Sequence, residues 1–282
     1  MNYNIKVNIK RYGGNGMAIK FCSLSSGSSG NCQYIETENS KILIDAGFSG
    51  KRIEALLSSI GVNPSTLDGI LVTHEHIDHS MGVGVFSRRY DIPIFANANT
   101  WIGMSSIIKS INEKNTKIFK TNDNFDINDI SIHPINVFHD SLEPVGYILY
   151  NGKTKISIIT DTGCVNDNIK YEIKNSNLYY MESNHDVQML REGSYPWSLK
   201  QRIMSTKGHL SNDDAGVILG DVLAGKGEVV LLAHLSQDNN LPELAYKTVR
   251  DSILSQGLDV DNDIKLDITF RDRTTCIYKF DK

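Results

Sequence analysis

Thr73-His74-Glu75-His76-Ile77-Asp78-His79 places three histidines and an aspartate directly after an apolar stretch that reads as a buried strand over residues 68–73. Imidazole nitrogens and carboxylate oxygens are the ligands of a borderline cation such as Zn²⁺. Alternate residues of an extended segment share a face, so His74 and His76 can reach one ion. The turn that follows can aim Asp78 and His79 at a second ion close by. One segment cannot complete two coordination shells, so further donors are expected at later strand ends. His139 follows the apolar run 135–138, Asp161 follows 156–160, and His234 follows 229–233. A lone His or Asp at a strand end is ordinarily a cap or a turn residue. Taken with the first cluster, the three read as metal ligands, because loops gather into sites where strands end.

Working outward, short apolar runs alternate with helical patterns. Strands are predicted over 18–24, 32–37, 41–45, 68–73 and 93–96. One helix is predicted over 51–60, capped by Ser49 and stopped by Gly61, and another over 83–90. The second half repeats the style. Its strands are expected at 130–138, 145–150, 155–160, 178–182, 228–233, 264–270 and 276–280, with long helices at 213–223 and 242–256. Two similar halves, each a β-meander followed by helices, imply two sheets packed face to face with helices outside. The expected fold is a four-layer αββα sandwich in one domain, residues 18–282, with the metal site at the strand ends. Residues 1–17 are polar and rich in Asn, Lys and Gly. They are expected to be a peripheral extension, with Met17 the natural first residue.

The chain's 282 residues are 40% hydrophobic and 22% charged, the mix of a globular protein with a sizeable core, which excludes disorder, collagen and coiled coil. Twenty-nine Lys and Arg against 33 Asp and Glu give a net charge of −4, so a nucleic-acid partner must be held by a local patch. Four scattered cysteines with no C-x-x-C pair read as reduced thiols of a cytoplasmic protein. No apolar run approaches membrane-span length, and oligomeric state is left open.

The ligand pattern resembles the metallo-β-lactamase superfamily, whose signature is H-x-H-x-D-H with later His, Asp and His ligands. Within it the chain is most similar to the YycJ/WalJ group of bacterial metallohydrolases. The stretches that carry the likeness are Leu24-Ser25-Ser26-Gly27-Ser28-Ser29-Gly30-Asn31, the histidine motif, Glu182-Ser183-Asn184-His185-Asp186, Tyr195-Pro196-Trp197-Ser198, Gly208-His209-Leu210-Ser211-Asn212 and Ala233-His234-Leu235-Ser236-Gln237-Asp238-Asn239-Asn240. The resemblance implies one ion on His74, His76 and His139, a second on Asp78, His79 and His234, and Asp161 bridging them. It implies Asp45 as a structural aspartate beneath the first motif. Zn²⁺, Mn²⁺ and Fe²⁺ all suit such donors. A pair of ions would make a bridging hydroxide available near neutral pH. The resemblance points to a nuclease, 5′-to-3′ exonuclease-like, acting on DNA or RNA.

Phosphodiester hydrolysis also needs a proton for the leaving oxygen. His209, just before a helix that Ser211 or Asn212 can cap, is the expected general acid, with Asp78 and Asp161 completing the catalytic set. The loop of Ser28, Ser29 and Asn31 can line the site and hold phosphate oxygens, or be a hairpin turn. His185 can orient a ligand, touch substrate or cap the helix that follows. Trp197, Lys200, Arg202 and Lys207 lie in a stretch, 194–208, free of acidic residues, which suits base stacking and phosphate neutralisation. An aromatic–proline corner also serves packing. His133 reads as an exposed strand residue. The rival functions are a cyclic-nucleotide or other small phosphodiesterase, a thioester or lactone hydrolase, and a metal-stabilised binding module. β-Lactam hydrolysis is disfavoured.

Overall fold

The computed structural model describes residues 9–12 and 19–281. In chain order the strands are β1 (Ile9–Tyr12), β2 (Ile19–Ser25), β3 (Cys32–Glu36), β4 (Lys41–Ile44), β5 (Gly69–Leu71), β6 (Ile94–Asn97), β7 (Thr116–Phe119), β8 (Phe125–Ile127), β9 (Ile130–Asn136), β10 (Val145–Asn151), β11 (Thr154–Ile159), β12 (Leu178–Glu182), β13 (Glu228–Ala233), β14 (Ile264–Ile268) and β15 (Ile277–Phe280). The helices are α1 (Gly50–Ser59), α2 (Ile77–Ser80), α3 (Val83–Tyr90), α4 (Ala98–Ile108), α5 (Asp167–Ile173), α6 (Val187–Glu192), α7 (Trp197–Ile203), α8 (Asn212–Val222) and α9 (Pro242–Ser255).

The strands form two sheets, ordered β1-β15-β2-β3-β4-β5-β6-β7 and β14-β13-β12-β11-β10-β9-β8. Each opens with an antiparallel meander, β2-β3-β4 in one and β9-β10-β11 in the other. Each then continues through parallel strands, β5 to β7 and β12 to β14. The expected likeness of the two halves is therefore a shared topology. Parallel crossovers require helices on the outer faces.

Side chains alternate as strand geometry demands. Along β13, Val229, Leu231 and Ala233 enter the core between the sheets, while Val230 and Leu232 face the helices. On the opposite sheet Ile42 and Ile44 point inward and Leu43 points outward, onto α1, α3 and α4. A sheet-to-sheet core with a helix-to-sheet core on either side is the αββα sandwich expected from the sequence.

Several elements are additional to the sequence reading. In α4 the buried positions Thr100, Met104 and Ile108 are four apart, but Ile102 is 65% exposed, so the apolar residues form no clean stripe. β7 is an edge strand with Lys117 and Ile118 exposed. β1, within the expected peripheral extension, pairs in parallel with β15 at the sheet edge. Met17 and the rest of that extension lie outside the described residues.

Candidate metal centre

Six site residues come from the C-terminal ends of strands or the turns just after them. Asp45 follows β4, His74 follows β5, His139 follows β9, Asp161 follows β11, Glu182 ends β12 and His234 follows β13. Ligand sites of α/β sheets collect at these ends. Asp45, Asp161 and His234 have φ of 59°, 53° and 56°. Asp and His are among the side chains that enter the left-handed region most readily, and single residues held there often sit at functional sites. All three side chains turn toward the same cluster.

The histidine motif is held from below. Asp45 accepts from the Thr73 amide at 2.8 Å and from Thr73 Oγ1 at 2.8 Å, and lies 2.7 Å from His79 Nδ1. That contact fixes the His79 ring and leaves Nε2 to the site. Gly47 is required by a close approach, since a Cβ there would lie 1.6 Å from the Asp78 carbonyl oxygen. That carbonyl accepts from the Asn31 amide at 2.8 Å, and the His79 carbonyl accepts from the Ala46 amide at 2.8 Å.

The candidate donors lie close together. His74, His76 and His139 offer atoms within 4.8 Å of one another, as do Asp78, His79 and His234, and also His74, His79 and Asp161. Asp161 therefore touches both groups, with Oδ2 at 3.3 Å from His79 Nε2 and Oδ1 at 3.9 Å from His139 Nε2. His234 Nε2 is buried and has no hydrogen-bond partner among the described residues. A buried ring nitrogen facing carboxylates and other imidazoles, with no proton acceptor or donor assigned to it, fits a metal ligand. The donor set of imidazoles and carboxylates is compatible with a dimetal site. Burial disfavours the His79 cation, but Asp161, Asp45 and Asp78 outweigh it and hold its pKa well above the usual histidine range. Burial pushes His74 well below that range.

Glu182, at the end of β12, has no role that its sequence motif alone reveals. It is fully buried, and Oε1 lies 2.8 Å from His209 Nδ1 and 2.9 Å from His234 Nδ1. Oε2 accepts from the Thr162 amide at 2.8 Å. The strand-end reasoning that picked out Asp161 applies equally to this residue. His209 stands before α8, whose N-cap is Ser211 in a reciprocal capping box with Asp214. Asp140, also unassigned from sequence, lies 3.4 Å from His139 Nε2 and is paired with Arg202.

The remaining expected residues divide. Asn31 is buried with Nδ2 3.0 Å from His79 Nε2, whereas Ser28 and Ser29 are exposed. Trp197, at the start of α7, is 62% exposed. Lys200 departs from the expectation of a phosphate contact. It is buried, and its ammonium donates to the carbonyls of Arg191 at 2.7 Å and Gly193 at 2.6 Å. Those bonds tie α6 to α7 and occupy the charge. His185 is buried, and the cap of α6 is instead Asp186, which accepts from the Met189 amide at 2.8 Å. His133, expected to be exposed, is half-buried, with Nδ1 2.5 Å from Asn124 Oδ1.

Fold and donors together define a metal-binding αββα hydrolase scaffold. The sequence pattern of the metallo-beta-lactamase superfamily matches residues 26–158. The chain is 45% identical over 244 residues to exodeoxyribonuclease YycJ of Bacillus anthracis, covering 86% of this chain and 92% of that protein. It is 40% identical to exodeoxyribonuclease WalJ of Streptococcus pneumoniae serotype 2 strain D39, covering 92% and 97%. The crystal structure of the metallo-beta-lactamase fold protein YhfI from Bacillus subtilis superposes with a TM-score of 0.68 at 16% identity, covering 93% of this chain and 99% of that one. The chain belongs to the metallo-β-lactamase superfamily and, within it, to the YycJ/WalJ group.

Proposed function

We propose that the chain is a metal-dependent exodeoxyribonuclease that hydrolyses DNA phosphodiesters from the 5′ end, with two divalent ions, zinc or manganese, at the strand-end cluster. The observation that supports this most is the near-full-length likeness to proteins named exodeoxyribonucleases, joined to an intact imidazole and carboxylate donor set. His74, His76 and His139 would hold one ion, Asp78, His79 and His234 the other, and Asp161 would be shared. Bound there, a pair of divalent ions supplies Lewis acidity and a nucleophilic hydroxide near neutral pH. His209 donates the proton to the leaving oxygen from Nε2, while Glu182 holds Nδ1. Its side chain is 21% exposed, enough to exchange protons with solvent. Trp197 stacks a base, and Arg202 stands beside His139 through Asp140. We place the protein in the cytoplasm, where the free thiols of Cys22, Cys32 and Cys164 persist. Among the described residues no helix is long and apolar enough to cross a membrane.

The test uses 5′-labelled and 3′-labelled single- and double-stranded DNA, RNA, cyclic nucleotides and a thioester, each with Zn²⁺, Mn²⁺ or Fe²⁺. Release of labelled mononucleotide from the 5′-labelled strand at the earliest times is expected. Turnover of a cyclic nucleotide or the thioester with intact DNA would overturn the reading.

A further inference from the structure

We infer that a cleft beside the ligand cluster is a phosphate subsite for the nucleic-acid strand, with Arg271 as its anion-binding residue; this rests on the nuclease reading. The cleft, about 420 Å³, lies between the 26–31 loop, the residues after His234 and the 269–272 segment. Pockets of this size take a nucleotide-sized group.

Arg271 Nη1 is buried and has no hydrogen-bond partner among the described residues. A cationic donor shielded from water and left unmet is unfavourable, and a turn of the guanidinium into the cleft that Arg271 lines would meet a phosphate oxygen with a charge-assisted bond. A guanidinium fork matches phosphate geometry. The surroundings add positive charge. Arg52 Nη2 donates to the Asp272 carbonyl at 2.6 Å, and Arg273 lies over the Phe270 ring at 4.0 Å. Asp272 is the acidic residue of the lining and is exposed. Ser26, Ser29, Ser236 and Gln237 offer neutral polar groups, while Leu235 and Phe270 form an apolar wall for a sugar or base.

The cleft is one loop away from the metal ligands. Ser26 Oγ accepts from the His234 amide at 2.9 Å. Asn31 binds Gly27 through both amide atoms, at 3.0 and 3.2 Å, and reaches His79 Nε2 at 3.0 Å. Gly27 allows the arginine stem to cross the loop, since a Cβ there would lie 2.7 Å from Arg271 Cγ. Phosphate contacts fix the register of a strand without reading its sequence. A phosphate held here would lie on the His234 side of the donor cluster.

The full-length protein loaded with Mn²⁺ is compared with Arg271→Gln, Arg271→Lys and Ser29→Asp, the last placing a carboxylate at the exposed rim. Kinetics are measured on a 5′-phosphorylated oligonucleotide at several salt concentrations and on bis(4-nitrophenyl) phosphate. Thermal protection by deoxyadenosine monophosphate is the binding probe. For Arg271→Gln the oligonucleotide KM should rise about tenfold and the log–log salt slope fall by about 0.7–0.9. Loss on the oligonucleotide should exceed loss on the small diester, protection should vanish, Arg271→Lys should recover part of it, and Ser29→Asp should also raise KM. Wild-type KM and slope in Arg271→Gln would overturn the subsite. So would equal loss on both substrates with no recovery by lysine. A wild type that cuts no DNA, yet is protected by the nucleotide only when Arg271 is present, would overturn the nuclease reading and keep the subsite.

Discussion

Glu182 and His209 are joined by a 2.8 Å contact between Oε1 and Nδ1, and the same oxygen stands 2.9 Å from His234 Nδ1. One buried carboxylate thus orients both the proposed acid and a proposed metal ligand. Burial alone would raise its pKa, but His209 and His234 outweigh this and pull it down to about 2, so it stays ionised at neutral pH.

Glu182→Gln should lower metal affinity or kcat by about 10–100-fold, the usual cost of losing a partner that orients a ligand. Metal titration and kcat at saturating metal separate the two effects. Full recovery of kcat at high metal would mean that the His209 contact is idle.

His209→Ala should retain bound metal but slow DNA hydrolysis by about 10²–10⁴-fold. The deficit should shrink for a nitrophenyl diester, whose leaving group needs no proton. Equal deficits on both substrates would assign His209 a structural role.

Asp161→Ala removes the carboxylate that touches both donor groups. Metal analysis of the purified variant should show the paired centre lost. A wild type that never holds more than one ion per chain under metal-replete conditions would contradict the shared role.

Trp197 and Lys200, one helical turn apart on α7, should behave differently. Trp197→Ala should weaken single-strand binding by about 1–3 kcal/mol with metal content unchanged. Lys200→Ala should instead lower thermal stability and leave the salt dependence of binding alone, because its ammonium is bound to the Arg191 and Gly193 carbonyls. A lowered salt slope in Lys200→Ala would restore it as a phosphate contact.

Burial depresses the pKa of His185 from 6.5 to about 4. Between these values the unfolded chain binds the additional proton. The stability tied to the neutral ring is therefore whole above pH 6.5 and is lost as pH falls toward 4, on the order of 3 kcal/mol in total. Denaturation of metal-free protein from pH 7.5 to 4 should show a shallower decline for His185→Gln than for wild type. Parallel curves would remove His185 from the account.

The histidine motif and the donors at 139, 161 and 234 were legible because a strand that ends in a ligand-type residue breaks an apolar run abruptly. Glu182 carries the same signal, but nothing in its local sequence shows that its partners are His209 and His234, which lie 27 and 52 positions away. The burial of Lys200 is not legible in sequence, because a basic residue beside an aromatic looks the same whether it faces solvent or the carbonyls of a neighbouring turn. Arg271 lies between Phe270 and Asp272, and its unmet nitrogen becomes visible only once Gly27 is folded against it. α4 was obscured by its exposed isoleucine, and the layered fold was legible through the repeated meander.

β15, at the very end of the described chain, does not join the sheet built from the strands just before it. It returns to pair with β2 and closes the sheet that supports the histidine motif. Synthesis must therefore run past β15 before that sheet can be completed, and the proposed donor set is not whole until His234 has emerged. Neither half can assemble a working centre by itself. For a protein proposed to degrade DNA, this ordering delays catalytic competence until synthesis has passed His234, and a chain that stops before it lacks one of the proposed donors.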